Sequence, residues 1–301
     1  MLNKEETMAK NELVSKKYAK RSTMGEFWHR LKKNKGAMIG LVLVILIFGT
    51  ALASQIFFDY KTQVVNQNLA NRFQAPNPDH PFGTDELGRD IMTRVLYGAS
   101  YSLAVGIIAV LIAIIIGVTL GCIAGYVGGA VSEVIMRITD IFCSVPTMLL
   151  AIAIVSAFGV SLLNLMVAVG ITSAPQFVRI ARASIMTVRN EEYVEAATAL
   201  GMPDWQIVIV HMLPNCISPL IVQATQRIAS AIISASSLSF LGLGVPQPAP
   251  EWGSMLSSGR NFIRQYSYMT FFPGLALMLT VLAFNLLGDG IRDAIDPKLK
   301  K

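Results

Sequence analysis

Polar and apolar positions fall into long blocks along this chain rather than short alternations. Stretches at 37–58, 101–125, 136–158, 161–180, 217–240 and 268–288 are apolar and nearly free of charge. Each has roughly the 20 residues that a helix needs to cross ~30 Å of hydrocarbon. The runs are continuous, which argues against a β-barrel, whose strands alternate. The pattern predicts an all-α, polytopic membrane protein with six transmembrane helices.

The polar segments set the expected topology. Residues 1–36 hold Lys4, Lys10, Lys16, Lys17, Lys20, Arg21, Arg30, Lys32, Lys33 and Lys35, and such an excess marks a cytoplasmic N-terminus. An even number of spans returns the C-terminus to the same side, where Arg292, Lys298, Lys300 and Lys301 agree. Loops 59–100 and 241–267 then face outward, 181–216 faces the cytoplasm, and Gly125 to Met136 forms a short cytoplasmic turn. The first apolar run is too long, and starts too late, for a cleavable signal peptide. Ahead of it, Met24, Phe27, Trp28 and Leu31 recur at i, i+3, i+4 and i+7. With flanking cations, this predicts an amphipathic helix at the membrane interface.

Composition narrows the class further. The chain has 301 residues, 53% hydrophobic and only 15% charged, and its net charge is +6. Topology and attraction to anionic membrane lipid account for that charge; a nucleic-acid partner is not implied. Cys122, Cys143 and Cys216 lie in or beside apolar runs and read as packing residues, not a disulfide framework or zinc site.

Two of the spans have distinctive faces. Gly117, Gly121 and Gly125 form a tandem small-xxx-small pattern that lets helix backbones approach closely in lipid. Gln223, Arg227, Ser230, Ser234 and Ser237 are spaced by 4, 3, 4 and 3, so they share one helical face. A charge well inside a span faces a cavity or a partner. The stripe is therefore a candidate lining for a water-accessible pathway; the alternative is backbone-bonded serines with Arg227 snorkelling or paired with lipid.

Between the fourth and fifth runs, "EYVEAATALGMPDWQIVIVHMLPN" (192–215) is too polar to span. Arg189 to Leu200 has good helix formers. Gly201 suits the left-handed position that ends a helix, Pro203 suits the first turn of the next, and Asp204 there complements the helix dipole. The second helix should run to about Met212, with Pro214 opening the fifth span. Ala196, Ala197 and Gly201 present small side chains with Glu195 as an orienting charge, the pattern of an element that fits a partner's groove. An ordinary amphipathic loop has the same local pattern.

Glu195-Ala196-Ala197, Gly201 after three intervening residues, then Ile207 or Ile209 and Leu213-Pro214 resemble the "EAA" loop of ABC importer permeases. "FWHRLKKNKGAMIGLVLV" (27–44), "HPFGTDELGRDIMTRVLYGASYSL" (80–103), "LSFLGLGVPQPAPEWGSML" (238–256) and "GDGIRDAIDP" (288–297) are similar to motifs of the C-type permease subunit of dipeptide, oligopeptide and nickel importers. The resemblance implies a type I ABC importer permease fold. It makes Glu195, Ala196, Ala197 and Gly201, with Pro203 and Asp204 of the adjoining turn, the residues that dock on an ATP-binding subunit. The implied layout is a cytoplasmic leader with interfacial helix (1–36), a first span (37–58), an extracytoplasmic loop (59–100), a core permease domain (101–288) with coupling helices at about 189–213, and a cytoplasmic tail (289–301). The implied partners are a homologous second permease in a heterodimer, two ATP-binding subunits and an extracytoplasmic peptide-binding protein, in a bacterial cytoplasmic membrane. Two departures concern the substrate: the family often has an acidic residue near Ala235, and an uncharged one where Arg227 stands.

Other chemistry is sparse. His80, Asp85, Glu86 and Asp90 could hold a metal, but they read better as loop structure, with Gly83 and Gly88 for turns and Asp85 and Asp90 for helix capping near Arg89. His211 reads as a structural or docking residue. The sequence has no G-x-x-x-x-G-K-[ST] loop, no nucleophile elbow and no enclosed carboxylate pair. This chain is expected to be no enzyme and to carry no cofactor, with ATP and Mg on partner subunits. The implied function is uptake of di- or oligopeptides; alternatives are nickel complexes, glutathione or another small solute, then an ion-coupled secondary transporter or a membrane-embedded enzyme.

Overall fold

A computed structural model describes residues 23–295; the basic residues Lys4 to Arg21 and Lys298 to Lys301, like the Met24 side chain, lie outside what it describes. The described chain is helical, and its one β-type pairing is an isolated bridge between Thr84 and Asp90. Helix α1 (Thr23–Lys33) leads into α2 (Lys35–Phe57) through Asn34, whose side chain accepts from the Ala37 N–H at 3.1 Å. Then follow α3 (Ile91–Val127), α4 (Gly129–Ser144), α5 (Thr147–Phe158), α6 (Leu162–Val188), α7 (Glu192–Ala199) and α8 (Asp204–Gln206). The last three are α9 (Ile217–Phe240), α10 (Trp252–Gly259) and α11 (Tyr268–Ile295).

Five of these helical stretches are long and apolar enough to span a membrane, or six if the bent pair α4–α5 is one span. That pair corrects the expectation of an unbroken third span at 136–158. The helix turns by 92° at this break. Pro146 supplies the reason: its ring pushes Val145 out of the helical region, to φ −93°, ψ 132°. The expected turn at 125–136 is also much shorter. Only Gly128 separates α3 from α4, with Gly128 and Gly129 at φ +72° and +50°.

The second span starts ten residues before the expected 101. Asp90 caps it, accepting from the Thr93 N–H at 2.7 Å, and α3 runs 37 residues, about 55 Å at 1.5 Å per residue. That exceeds the hydrocarbon thickness, so one end belongs to a polar platform. There Arg94, 1% exposed, donates to the Val64 carbonyl at 3.0 Å and the Pro248 carbonyl at 3.3 Å. Arg89 reaches Gln247 at 3.0 Å. Phe73 stacks on Tyr266 and Phe82 on Phe272. The two loops expected on one side thus fasten to each other. Asp85 caps no helix: it accepts from the Leu87 and Arg89 N–H groups of a turn and holds the Arg89 side chain at 2.6 Å. Glu86 lies in the same cluster, and its desolvation, with Asp85 beside it, holds its carboxyl above the usual range.

Packing explains the glycines of α3. A Cβ at Gly117 would sit 2.4 Å from the Phe177 Cβ, one at Gly121 2.6 Å from the Val178 carbonyl oxygen and the Ala181 Cβ, and one at Gly125 2.9 Å from the Arg182 carbonyl oxygen. Their partner is α6, which the sequence alone does not name. One core joins α3, α5, α6 and α9; a second joins α2, α3, α9, α10 and α11. Helix α1 lays Leu31 and Phe27 against Ala37 and Ala294 at the end of α11, while Trp28 stays 43% exposed beneath Lys32.

Candidate docking element and polar stripe

Residues 189–216 sit at the end of α3 and α6 opposite the platform. Val194 and Ala197 of α7 are buried with Ile207, Met212, Cys216, Cys122 and Ile185. Helix α7 starts at Glu192, three residues later than the expected Arg189, and ends as the sequence predicts. Gly201 is left-handed at φ +73°. Its N–H bonds the Thr198 carbonyl at 3.0 Å, and the Met202 N–H bonds the Ala197 carbonyl at 3.2 Å, the paired bonds of a Schellman cap.

The second half departs from expectation. Helix α8 is three residues long, then Ile207–Met212 winds wider and Leu213–Cys216 tighter before α9 begins. Pro214 does not open the fifth span; it lies inside one helical path from Asp204 to Phe240. The wide and tight turns take up the missing donor and bulk of its ring.

Glu195, Ala196, Gly201, Pro203 and Asp204 are all exposed. Ala197 is the exception. At 5% exposure it packs inward, one helical turn from Val194. Sequence reasoning also passed over Leu200 and Trp205, which are 82% and 65% exposed beside the cap. Large apolar residues in a segment too polar to span were the available signal.

A single side-chain hydrogen bond ties this element to a spanning helix among the described residues: Tyr126 at the end of α3 donates to Asp204 at 2.7 Å. An apolar groove lined by Val118, Ile123, Trp205 and Val208 runs beside it. Tyr126→Phe should leave the fold intact and loosen α8. An exposed bond worth about 0.5–1.5 kcal/mol implies amide exchange at Gln206 and Ile207, whose N–H groups bond the Pro203 carbonyl, faster by about 2- to 10-fold. Unchanged exchange would show that packing alone holds the element. His211 points its Nε2 into a buried position with no hydrogen-bond partner.

The polar stripe is carried by α9. Gln223 donates to Gln176 of α6 at 2.9 Å. Arg227 is half-buried, Ser234 is exposed, and Ser237 donates to the Ile233 carbonyl at 2.8 Å. Ser230 makes only a long 3.5 Å bond to the Gln226 carbonyl. At the platform end of α9, Glu251 is buried as the cap of α10, accepting from the Gly253 and Ser254 N–H groups at 2.9 and 2.8 Å. Burial pushes its carboxyl above the usual range, against the pull of those bonds. A folded-state value above the unfolded one favours the folded state at low pH, and that contribution is lost as pH rises through the folded value. The wild-type melting temperature should therefore fall more steeply than that of Glu251→Gln as pH is raised above the ordinary carboxylate range; parallel curves would contradict this.

An all-helical bundle with five or six candidate spans, a fastened platform at one end and a small helical element at the other is the architecture of a polytopic membrane protein. Residues 117–301 match the family described as binding-protein-dependent transport system inner membrane component, and residues 22–76 match the N-terminal TM domain of oligopeptide transport permease C. The chain belongs to the first of these families, the membrane-spanning permeases of ABC importers. It is 46% identical to the dipeptide transport system permease protein DppC of Alkalihalophilus pseudofirmus, over 94% of this chain and 92% of that one. It is 42% identical to the di/tripeptide transport system permease protein DppC of Pseudomonas aeruginosa, over 93% of each. The glutathione transport system permease protein GsiD of Shigella flexneri is 45% identical over 93% of this chain and 92% of its own. Among solved structures, the inward-facing MetNI methionine ABC transporter matches with a TM-score of 0.56 at 18% identity, over 68% of this chain and 98% of that one; this likeness concerns the fold. Membership implies ATP-hydrolysing partners and a binding protein.

Proposed function

We propose that this chain is the permease subunit through which an ATP-driven importer takes up di- and oligopeptides across a bacterial cytoplasmic membrane. The observation that carries it is identity of 42–46% with dipeptide and di/tripeptide permeases over more than nine-tenths of the chain. The likeness to a glutathione permease favours a second reading of related chemistry, since glutathione is itself a tripeptide.

In this reading both termini are cytoplasmic, as the basic ends of the chain suggest. The layout is a leader to residue 36, a first span at 37–58, an outer segment at 59–100 that takes in the first turns of α3, a core at 101–288 and a tail from 289. Glu195, Ala196, Gly201, Pro203 and Asp204 face an ATP-binding subunit, with Ala197 behind them. Two such subunits, carrying ATP and Mg, lie beneath this chain and a homologous second permease. The outer platform receives a peptide-binding protein. When the ATPases close, the element moves with α9, because one helical path joins them, and the spans switch access. The stripe from Gln223 to Ser237 lines the pathway.

Uptake of a labelled dipeptide by native-host cells lacking this chain, with and without complementation, tests the reading. Uptake should return only with the chain, persist with a proton uncoupler and stop on ATP depletion. Equal uptake without the chain would sink the peptide assignment; collapse with the uncoupler alone would point to ion coupling.

A further inference from the structure

Arg227 lies ten residues into α9, inside the Asp204–Phe240 helical path that is long and apolar enough to cross a membrane. A guanidinium there is costly unless it meets water or an anion. The other arginines along α3 and α6 that face polar groups are engaged. Arg94 bonds two carbonyls and lies 3.7 Å from Asp85, Arg179 pairs with Asp140 at 2.8 Å, and Arg182 donates to Ser132 at 2.9 Å. Arg227 has no hydrogen bond or ion pair among the described residues, and its Nε is buried without a partner.

Along its own helical face the stripe is polar and carries no acid. Gln223 stands one turn to one side, and Ser230 and Ser234 one and two turns to the other. Asp289, which accepts from Gln226 at 3.2 Å, and Asp140 serve other groups. We propose that Arg227 is the receptor for the carboxylate of the transported solute: for a peptide, its C-terminal carboxylate. The planar fork of N–H donors matches a carboxylate through two parallel bonds, which a lysine does not reproduce. The stripe offers no anion for the peptide's ammonium, so the stripe reads the carboxyl end and not the amino end. The inference rests on the pathway reading of the stripe.

The test uses the purified importer, with its partner subunits and binding protein, in proteoliposomes. Uptake is compared for a dipeptide, its C-terminal amide and its N-acetyl form, with wild type, Arg227→Gln and Arg227→Lys. The binding protein is the same throughout, so its own preference cancels in the comparison between variants. The preference for carboxylate over amide should fall about 10-fold in Arg227→Gln, the equivalent of one lost charge-assisted pair, and less in Arg227→Lys. The response to N-acetylation should not change. An unchanged carboxylate preference, or a parallel loss for all three solutes, would overturn the proposal and leave Arg227 as a strut or a contact of the second permease.

A second measurement needs no peptide. With the three native cysteines replaced by serine, a cysteine at Ser234 is probed with anionic and cationic thiosulfonates. Faster reaction with the anionic reagent, levelled by Arg227→Gln, is the expected result. No reaction, or no charge preference, would overturn the proposal whatever the solute. Failure of wild-type peptide uptake alongside a retained charge preference would instead count against the peptide reading and leave the anion receptor standing.

Discussion

Asp85→Ala is expected to unfasten the outer platform and cost about 3–5 kcal/mol, the usual penalty for stripping one member from a buried ion pair. Asp85 is 7% exposed and serves four groups: the Leu87 and Arg89 N–H groups on one oxygen, the Arg89 Nε at 2.6 Å and the Arg94 Nε at 3.7 Å on the other. Removing it leaves two arginine side chains, each 1% exposed, with Glu86 as the remaining carboxylate at 3.6 Å from Arg89. The loss reaches beyond the first loop, because these arginines also hold Val64, Gln247 and Pro248. Thermal unfolding followed by size-exclusion chromatography should show a large drop in melting temperature and less monodisperse protein. Asp85→Asn, which keeps one acceptor, should fall between. A wild-type melting curve for Asp85→Ala would mean the platform is held by its aromatic stacks alone.

Gly121→Leu is expected to be damaging at the other end as well. A Cβ at Gly121 already meets the Val178 carbonyl oxygen and the Ala181 Cβ at 2.6 Å, closer than atoms pack, and both lie on a helix backbone that cannot yield locally. Leucine must force α3 and α6 apart along the whole glycine face, so the close contact that replaces hydrophobic drive in lipid is lost. Overpacking of this kind costs about 1–3 kcal/mol or more. Because α7 rests on the same ends of α3 and α6, the docking element should also lose its seat. Little folded chain in the membrane is the expected result, with Gly121→Ala milder. Normal folding of Gly121→Leu would show that the seam is looser than its geometry.

The parts legible in the sequence were those set by local chemistry. The apolar runs marked spans because lipid leaves the backbone no other option. Gly201 marked the end of α7 because only a left-handed residue closes that cap. Pro146 also marked the break in the third span, but the apolar run around it masked the signal. The extra length of α3 was hidden because Arg94 looks like a surface residue until Val64 and Pro248 close over it, and such long-range partners leave no trace in local pattern. The inward turn of Ala197 was legible in part, since it follows Val194 by one helical turn. Exposure of Leu200 and Trp205 was not, because apolar residues are ordinarily read as core.

Affinity purification of this chain in mild detergent, with mass spectrometry of what accompanies it, tests the central claim most directly when wild type is run beside Glu195→Arg. The account predicts that wild type brings down a second permease and ATP-binding subunits, and that Glu195→Arg keeps the permease while losing the ATP-binding subunits. A chain that purifies alone, or one whose ATP-binding subunits are indifferent to Glu195→Arg, would contradict the assignment of residues 189–216 as the docking element.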